Sequence, residues 1–152
     1  MKKGNVIALL HALSGAGAMF VGFLTRGGID MAEDALKLLG YGIITPGMLL
    51  FAYSVIFLRK AFQGNVEPIT ENLIIDGPYR WIRHPLYLSM IITIIGISFI
   101  MRSDWGFAIT LMVFLPLTII RARMEEVYLG QKFSPDWEEY VRNTYFIIPL
   151  IY

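Results

Sequence analysis

The sequence predicts an all-α protein that crosses a membrane several times, and three observations carry that expectation. Of its 152 residues, 56% are hydrophobic and only 16% are charged, whereas a soluble domain carries about a quarter charged residues. The mean hydropathy is correspondingly high, at +0.59. The charges are also clustered, leaving long stretches free of them. Those stretches have the length of helices that cross a hydrocarbon core, for which about 20 apolar residues suffice.

Gly4 to Thr25 holds no ionisable group except His11, and predicts a first span over about 4–25. Lys2 and Lys3 give it the flank of a signal peptide. The run is longer than a usual signal core, however, and no small-residue cleavage site ends it, so it is read as a retained span. Within it, Gly15-Ala16-Gly17 lacks the strand and third glycine of a dinucleotide loop. Ser14, Ala18 and Gly22, four apart, instead make a close-packing helix face, and His11 reads as a packed or interfacial histidine rather than a ligand. Leu38 to Leu58 predicts the second span, about 38–58. Pro85–Met101 and Trp105–Ile120 are shorter and predict spans over about 85–101 and 105–120. Arg102, Asp104 and Trp105 between them suit a tight interfacial turn with an aromatic anchor.

Beyond the fourth span the chain turns polar. Ser134-Pro135-Asp136 has the residues of a helix start, with Ser134 as N-cap and the acid at the positive end. Two short helices, Arg121–Lys132 and Asp136–Asn143, are therefore expected to lie as a lid over the site. Trp137, Tyr140 and Tyr145 read as packing between lid and membrane. Tyr145 to Tyr152 is apolar, too short to span, and expected at the interface. The whole chain, 1–152, reads as one membrane-embedded domain.

Orientation follows from the basic residues. With four spans and a cytoplasmic N-terminus, Lys2, Lys3, Arg59, Lys60, Arg80, Arg83, Arg121, Arg123, Lys132 and Arg142 fall inside, and Arg26, Lys37 and Arg102 outside. Ten against three is the bias that places a multi-pass protein in a cell membrane with its polar segments cytoplasmic. A net charge of +1 gives no reason to expect nucleic acid. The absence of cysteine excludes disulfides, thiolate catalysis and zinc–thiolate sites, and two histidines argue against a histidine-rich metal site.

Chemistry concentrates in two polar segments, within 63–87 and 121–149. The first runs Glu71-Asn72-Leu73-Ile74 and on through Gly77-Pro78-Tyr79-Arg80-Trp81-Ile82-Arg83-His84-Pro85-Leu86-Tyr87, with Pro85 opening the third helix where it costs no hydrogen bond. The second is Arg121-Ala122-Arg123-Met124-Glu125-Glu126. The hairpin between them returns Glu125 to the membrane face of His84, and Arg121 and Glu125, four apart, share a helix face. Charged groups beside apolar walls at membrane depth form a candidate site. Taken singly, Arg80 and Arg83 would serve as topology anchors, Tyr79, Trp81 and Tyr87 as an aromatic belt, and Arg121 with Glu125 as a surface ion pair. The compact string as a whole exceeds those roles.

The string Gly77-Pro78-Tyr79-Arg80-x-x-Arg83-His84-Pro85-x-Tyr87, an apolar hairpin, and Arg121-x-Arg123-x-Glu125-Glu126 resembles the isoprenylcysteine carboxyl methyltransferases and the related phospholipid methyltransferases. The resemblance runs through Phe133, Trp137 and Tyr140 to Pro149. It implies a membrane-embedded methyltransferase using S-adenosylmethionine. It also implies cofactor contacts at Glu71, Asn72, Leu73, Ile74, Tyr79, His84, Pro85, Leu86, Tyr87 and Glu125, and a substrate-side role for Arg121. Arg121 and Glu125 are the candidate catalytic residues, with Glu125 or Glu126 as the base an amine acceptor would need. The partners it implies are the bilayer and a lipophilic or lipidated substrate. A sulfonium is attracted to aromatic faces and carboxylates, as Tyr79, Tyr87 and Glu125 provide. Departures occur at Glu71-Asn72 and at Trp137, where those methyltransferases usually carry tyrosine. The C-terminal stretch also resembles membrane sterol reductases, which share the arginine-histidine-proline-x-tyrosine string, bind a nicotinamide cofactor and have many more spans. Glu125-Glu126 favours the methyltransferases. Carboxyl methylation is the expected reaction; N-methylation of a phospholipid amine and a non-catalytic lipid- or partner-binding role are the alternatives.

Overall fold

The computed structural model describes residues 3–58 and 72–149. Four principal helices, α1 (Lys3–Leu24), α2 (Glu33–Leu58), α3 (Pro85–Ile100) and α4 (Asp104–Phe133), are followed by a short α5 (Asp136–Arg142). A 3-10 turn, Gly77–Arg80, precedes α3. Among the described residues there is no strand, only a single parallel bridge between Ile82 and Tyr145. By length and composition α1, α2 and α4 can each cross a membrane, and α3 is a shorter apolar helix. The chain is an all-α membrane protein. Its exposed apolar residues, among them Leu13, Phe20 and Phe23 on α1 and Leu49 and Ile56 on α2, need lipid rather than water as solvent.

Small residues set the packing. On α2 and α3, Gly40 and Gly96 let the backbones meet: a Cβ on Gly40 would lie 2.8 Å from the Gly96 carbonyl, and one on Gly96 would lie 2.9 Å from that of Gly40. The Ala18–Gly22 face of α1 packs on Gly106 of α4, where an added Cβ would stand 2.9 Å from the Gly22 Cα. The α3–α4 turn holds Arg102 at φ 54°, and Ser103 caps α4 by accepting from the Gly106 amide at 2.9 Å. Trp105 is exposed beside it, as an interfacial anchor would be.

Four expectations need correction. Helix α2 begins at Glu33, five residues before the charge-free run, because Glu33 and Asp34 suit the positive end of a helix. Arg121–Lys132 is no separate lid helix but the continuation of α4, since nothing between Leu115 and Phe133 breaks it. The onset of charge marked where that helix leaves the apolar region, not where it ends. Ser134 does not cap α5; Pro135 occupies the cap position, and its carbonyl accepts from the Glu138 amide at 3.0 Å. Finally, residues 145–147 of the C-terminal segment are tied into the protein: the Arg83 amide donates to the Tyr145 carbonyl at 2.8 Å and the His84 amide to that of Phe146 at 3.1 Å. Phe146 and Ile147 are buried in the core with Tyr87, Ile91 and Phe114.

One irregularity in α4 has a clear cause. Thr110–Phe114 forms a π turn, and the Leu115 amide reaches back to the Thr110 carbonyl. Pro116 follows, carries no N–H for the carbonyl four residues earlier, and crowds it with its ring. The widened turn accommodates this, and it sets the register in which Thr118 and Arg121 are buried.

Candidate active site

The turn before α3 depends on one residue. Gly77 has φ 61°, and a Cβ there would lie 2.5 Å from the Phe57 ring. Only glycine meets both conditions. The turn buries Pro78 and Tyr79 and leaves Arg80 exposed. Tyr140 of α5 donates its hydroxyl to the Tyr79 carbonyl at 2.6 Å, clamping the turn from above. Trp137 is buried against Gly130 of α4, which fixes α5.

Two adjacent acids at the far end of α4 have different tasks, because successive helical residues point about 100° apart. Glu126 belongs to a scaffold. It accepts from Arg83 Nε at 2.7 Å and from Arg123 at 2.9 Å, with its side chain 12% exposed. Arg83 also donates to the Val141 carbonyl at 3.3 Å and to the Thr144 carbonyl. Arg83 is thus a buried tie between α3, α4 and the C-terminal segment. Of the two arginines read as topology anchors, only Arg80 has the exposure for it.

Glu125 faces the other way and accepts from the Tyr87 hydroxyl at 2.8 Å. The guanidinium of Arg121 lies 5.6 Å from the centre of the Tyr87 ring. His84 stacks on Tyr87, 5.5 Å between ring centres, and meets Phe146 edge-on at 5.2 Å. His84 Nε2 stands 3.5 Å from Glu126, too long for a good hydrogen bond, so the ring is oriented toward that acid without being bonded to it. Tyr79 adds a buried hydroxyl that has no hydrogen-bond partner among the described residues. Burial, and then the nearby charge of Glu125, push that phenol well above its ordinary value. It is neutral, and available as a donor.

The structure therefore brings Tyr79, His84, Tyr87, Arg121 and Glu125 to one place. Pro85 is buried as the first residue of α3, and Leu86 is half-buried beside it. Asn72 is exposed, and Leu73 and Ile74 are half-buried on the non-helical approach to Gly77. Glu71 lies outside the described residues, as do Arg59 and Lys60. Sequence reasoning underrated His11: it is 2% exposed and contacts Arg121. Its signal was present, as the one ionisable group in the first apolar run.

A family profile described as phospholipid methyltransferase matches residues 35–136. The chain is 33% identical over 125 residues to the protein-S-isoprenylcysteine O-methyltransferase of Saccharomyces cerevisiae, covering 80% of this chain and 52% of that one. It is 31% identical over 109 residues to a cobalt-zinc-cadmium resistance protein of Cupriavidus metallidurans, covering 72% of this chain and 45% of that one. The chain spans about half the length of these curated relatives. Among the described residues no group of three His, Cys, Asp or Glu side chains is placed to hold a metal ion.

Proposed function

The chain belongs to the phospholipid methyltransferase family, and from that premise we propose that it uses S-adenosylmethionine to methylate a lipophilic acceptor, with a carboxylate as the accepting group. One observation carries the reading: Tyr87 stands between a cation and an anion, with Arg121 near its ring and Glu125 on its hydroxyl. A site that must hold a positively charged donor and a negatively charged acceptor at once needs both signs close together.

The cofactor, when bound, supplies an electrophilic methyl group on a positively charged sulfur. The residues present fit it. Among the described residues the buried Tyr79 hydroxyl has no partner, and a polar ligand atom would satisfy it. Glu125 and the faces of Tyr79 and Tyr87 attract a sulfonium. His84, Pro85, Leu86 and the segment from Glu71 to Ile74 complete the set that would hold the rest of the molecule. Arg121 is the acceptor-side group: its planar fork binds a carboxylate through two parallel hydrogen bonds and fixes which oxygen points forward. A carboxylate is ionised at neutral pH and needs no base. Alignment of two reactants in a dry pocket supplies roughly 7–11 kcal/mol. The name of the yeast relative, an O-methyltransferase of isoprenylcysteine, supports this acceptor class.

A second reading, methylation of a phospholipid amine, draws on the family description. It needs a base, and Glu125 is the candidate, because Glu126 is committed to Arg83 and Arg123. The accessible basic residues of the polar end, Arg80, Arg123, Lys132 and Arg142, support a cytoplasmic site. Titration calorimetry of the purified protein in nanodiscs with S-adenosylmethionine tests the proposal: saturable binding is expected, and no binding contradicts it.

A further inference from the structure

His11 lies outside the residues that match the family profile, which begin at 35, yet it touches the arginine on which the acceptor reading rests. Its Nδ1 is 3.2 Å from a terminal nitrogen of Arg121, 110 residues away in sequence. Its Nε2 is 3.0 Å from the Thr118 hydroxyl. The Thr118 hydroxyl in turn donates to the Phe114 carbonyl at 2.7 Å, at the end of the π turn. The ring is stacked on Phe114, 4.8 Å between centres, and meets Tyr87 edge-on at 5.6 Å.

These contacts assign the hydrogens. An arginine only donates, so Nδ1 must be the accepting nitrogen. The proton then sits on Nε2, where it is donated to Thr118, whose own hydrogen is spent on Phe114. The chain runs in one direction from Arg121 through His11 and Thr118 to the backbone of α4, and no member has a choice of role.

We propose that His11 is a positioning residue that holds the Arg121 guanidinium in the orientation that receives the acceptor's anionic head group. The inference rests on the acceptor reading above. Helix α1 then contributes to specificity although it carries none of the motif residues. Thr118 fixes the tautomer that makes the contact acceptable to a cation.

The test uses the full-length protein in nanodiscs, a prenylcysteine-type acid as acceptor, and the variants His11→Ala, His11→Asn and Thr118→Val. Asparagine keeps an acceptor near the place of Nδ1 and removes most of the ring. For His11→Ala the acceptor KM, and the calorimetric Kd of the acid without cofactor, should rise about tenfold, the size of one charge-assisted hydrogen bond. The Kd for S-adenosylmethionine should stay within about twofold of wild type, since the hydrogen bond from Tyr87 to Glu125 does not involve His11. His11→Asn should recover most of the loss. Thr118→Val, which keeps the shape and removes the hydroxyl, should give a smaller rise of about threefold. If His11→Ala does not fold, the asparagine and valine variants carry the comparison. An unchanged acceptor KM in all three, or equal loss in alanine and asparagine, overturns the role and leaves His11 as packing. A wild-type protein that binds neither cofactor nor acid overturns the methyltransferase reading itself, and is recognised before any variant is compared.

Discussion

Tyr87 donates its hydroxyl hydrogen to Glu125 over 2.8 Å, joining residues 38 apart in sequence at the first turn of α3 and the polar end of α4. The pair closes the α3–α4 hairpin at the end where the charged residues collect. It also explains why neighbouring acids differ: the carboxylate beside Tyr87 is the one not locked into the Arg83–Arg123 cluster. Glu125→Gln should therefore weaken S-adenosylmethionine binding by roughly 10- to 150-fold, the loss of one charge-assisted contact. His11→Ala should leave that affinity intact. Calorimetry in nanodiscs reads both, and wild-type affinity in Glu125→Gln would remove Glu125 from the cofactor set.

Arg83 and Arg80 separate structure from topology. Arg83 has a side chain 7% exposed against Glu126, whereas Arg80 is exposed. Arg83→Ala leaves the partly buried Glu126 with Arg123 as its remaining arginine and should cost roughly 1.5–3 kcal/mol of stability. Arg83→Lys should not restore it, because a lysine cannot serve Glu126, Val141 and Thr144 together. Arg80→Ala should be nearly neutral. Thermal unfolding in a fixed detergent makes the comparison; equal effects at the two positions would refute the scaffold role of Arg83.

Gly77 makes two demands that a double variant can pull apart. The left-handed backbone costs an alanine roughly 1–2 kcal/mol, and the collision with the Phe57 ring adds to it. Gly77→Ala should therefore destabilise more than its backbone cost. In a Phe57→Ala background the same change should cost only the backbone part. A double-mutant cycle on unfolding temperature checks this, and strict additivity would show that Phe57 is not the obstacle.

Much of this architecture is legible in sequence, for a physical reason. A charge in hydrocarbon is expensive, so charge-free runs mark where the apolar helices lie. Helix ends are less legible, because Glu33 and Asp34 and the stretch from Arg121 to Lys132 are good helix formers that simply lie outside the apolar region. The gathering of Tyr79, His84, Tyr87, Arg121 and Glu125 follows from the motif and the hairpin. His11 is different. A lone histidine in an apolar helix reads as packing until its partners are known, and Thr118 and Arg121 are 107 and 110 residues away. Likewise, nothing local shows that Phe146 is buried, since its pairing with the segment before α3 is a tertiary event.

The proposed cytoplasmic orientation rests on the asymmetry of basic residues and is open to direct test. The native chain has no cysteine, so single cysteines at Asp30 and Asp136, both exposed, report without background. They should label from opposite sides of sealed vesicles, with Asp136→Cys protected from an impermeant outside reagent. Labelling of both from one side would contradict the hairpin and the shared membrane face of the site.

The central claim is that Arg121 receives an anionic acceptor beside a cofactor held by Tyr87 and Glu125. It is tested most directly by methyl transfer from labelled S-adenosylmethionine to a prenylcysteine-type acid and, separately, to phosphatidylethanolamine, with wild type and Arg121→Ala. Turnover on the acid is predicted, lost in Arg121→Ala while cofactor affinity largely survives. Turnover on the amine lipid alone, or undiminished acid methylation in Arg121→Ala, would contradict the account.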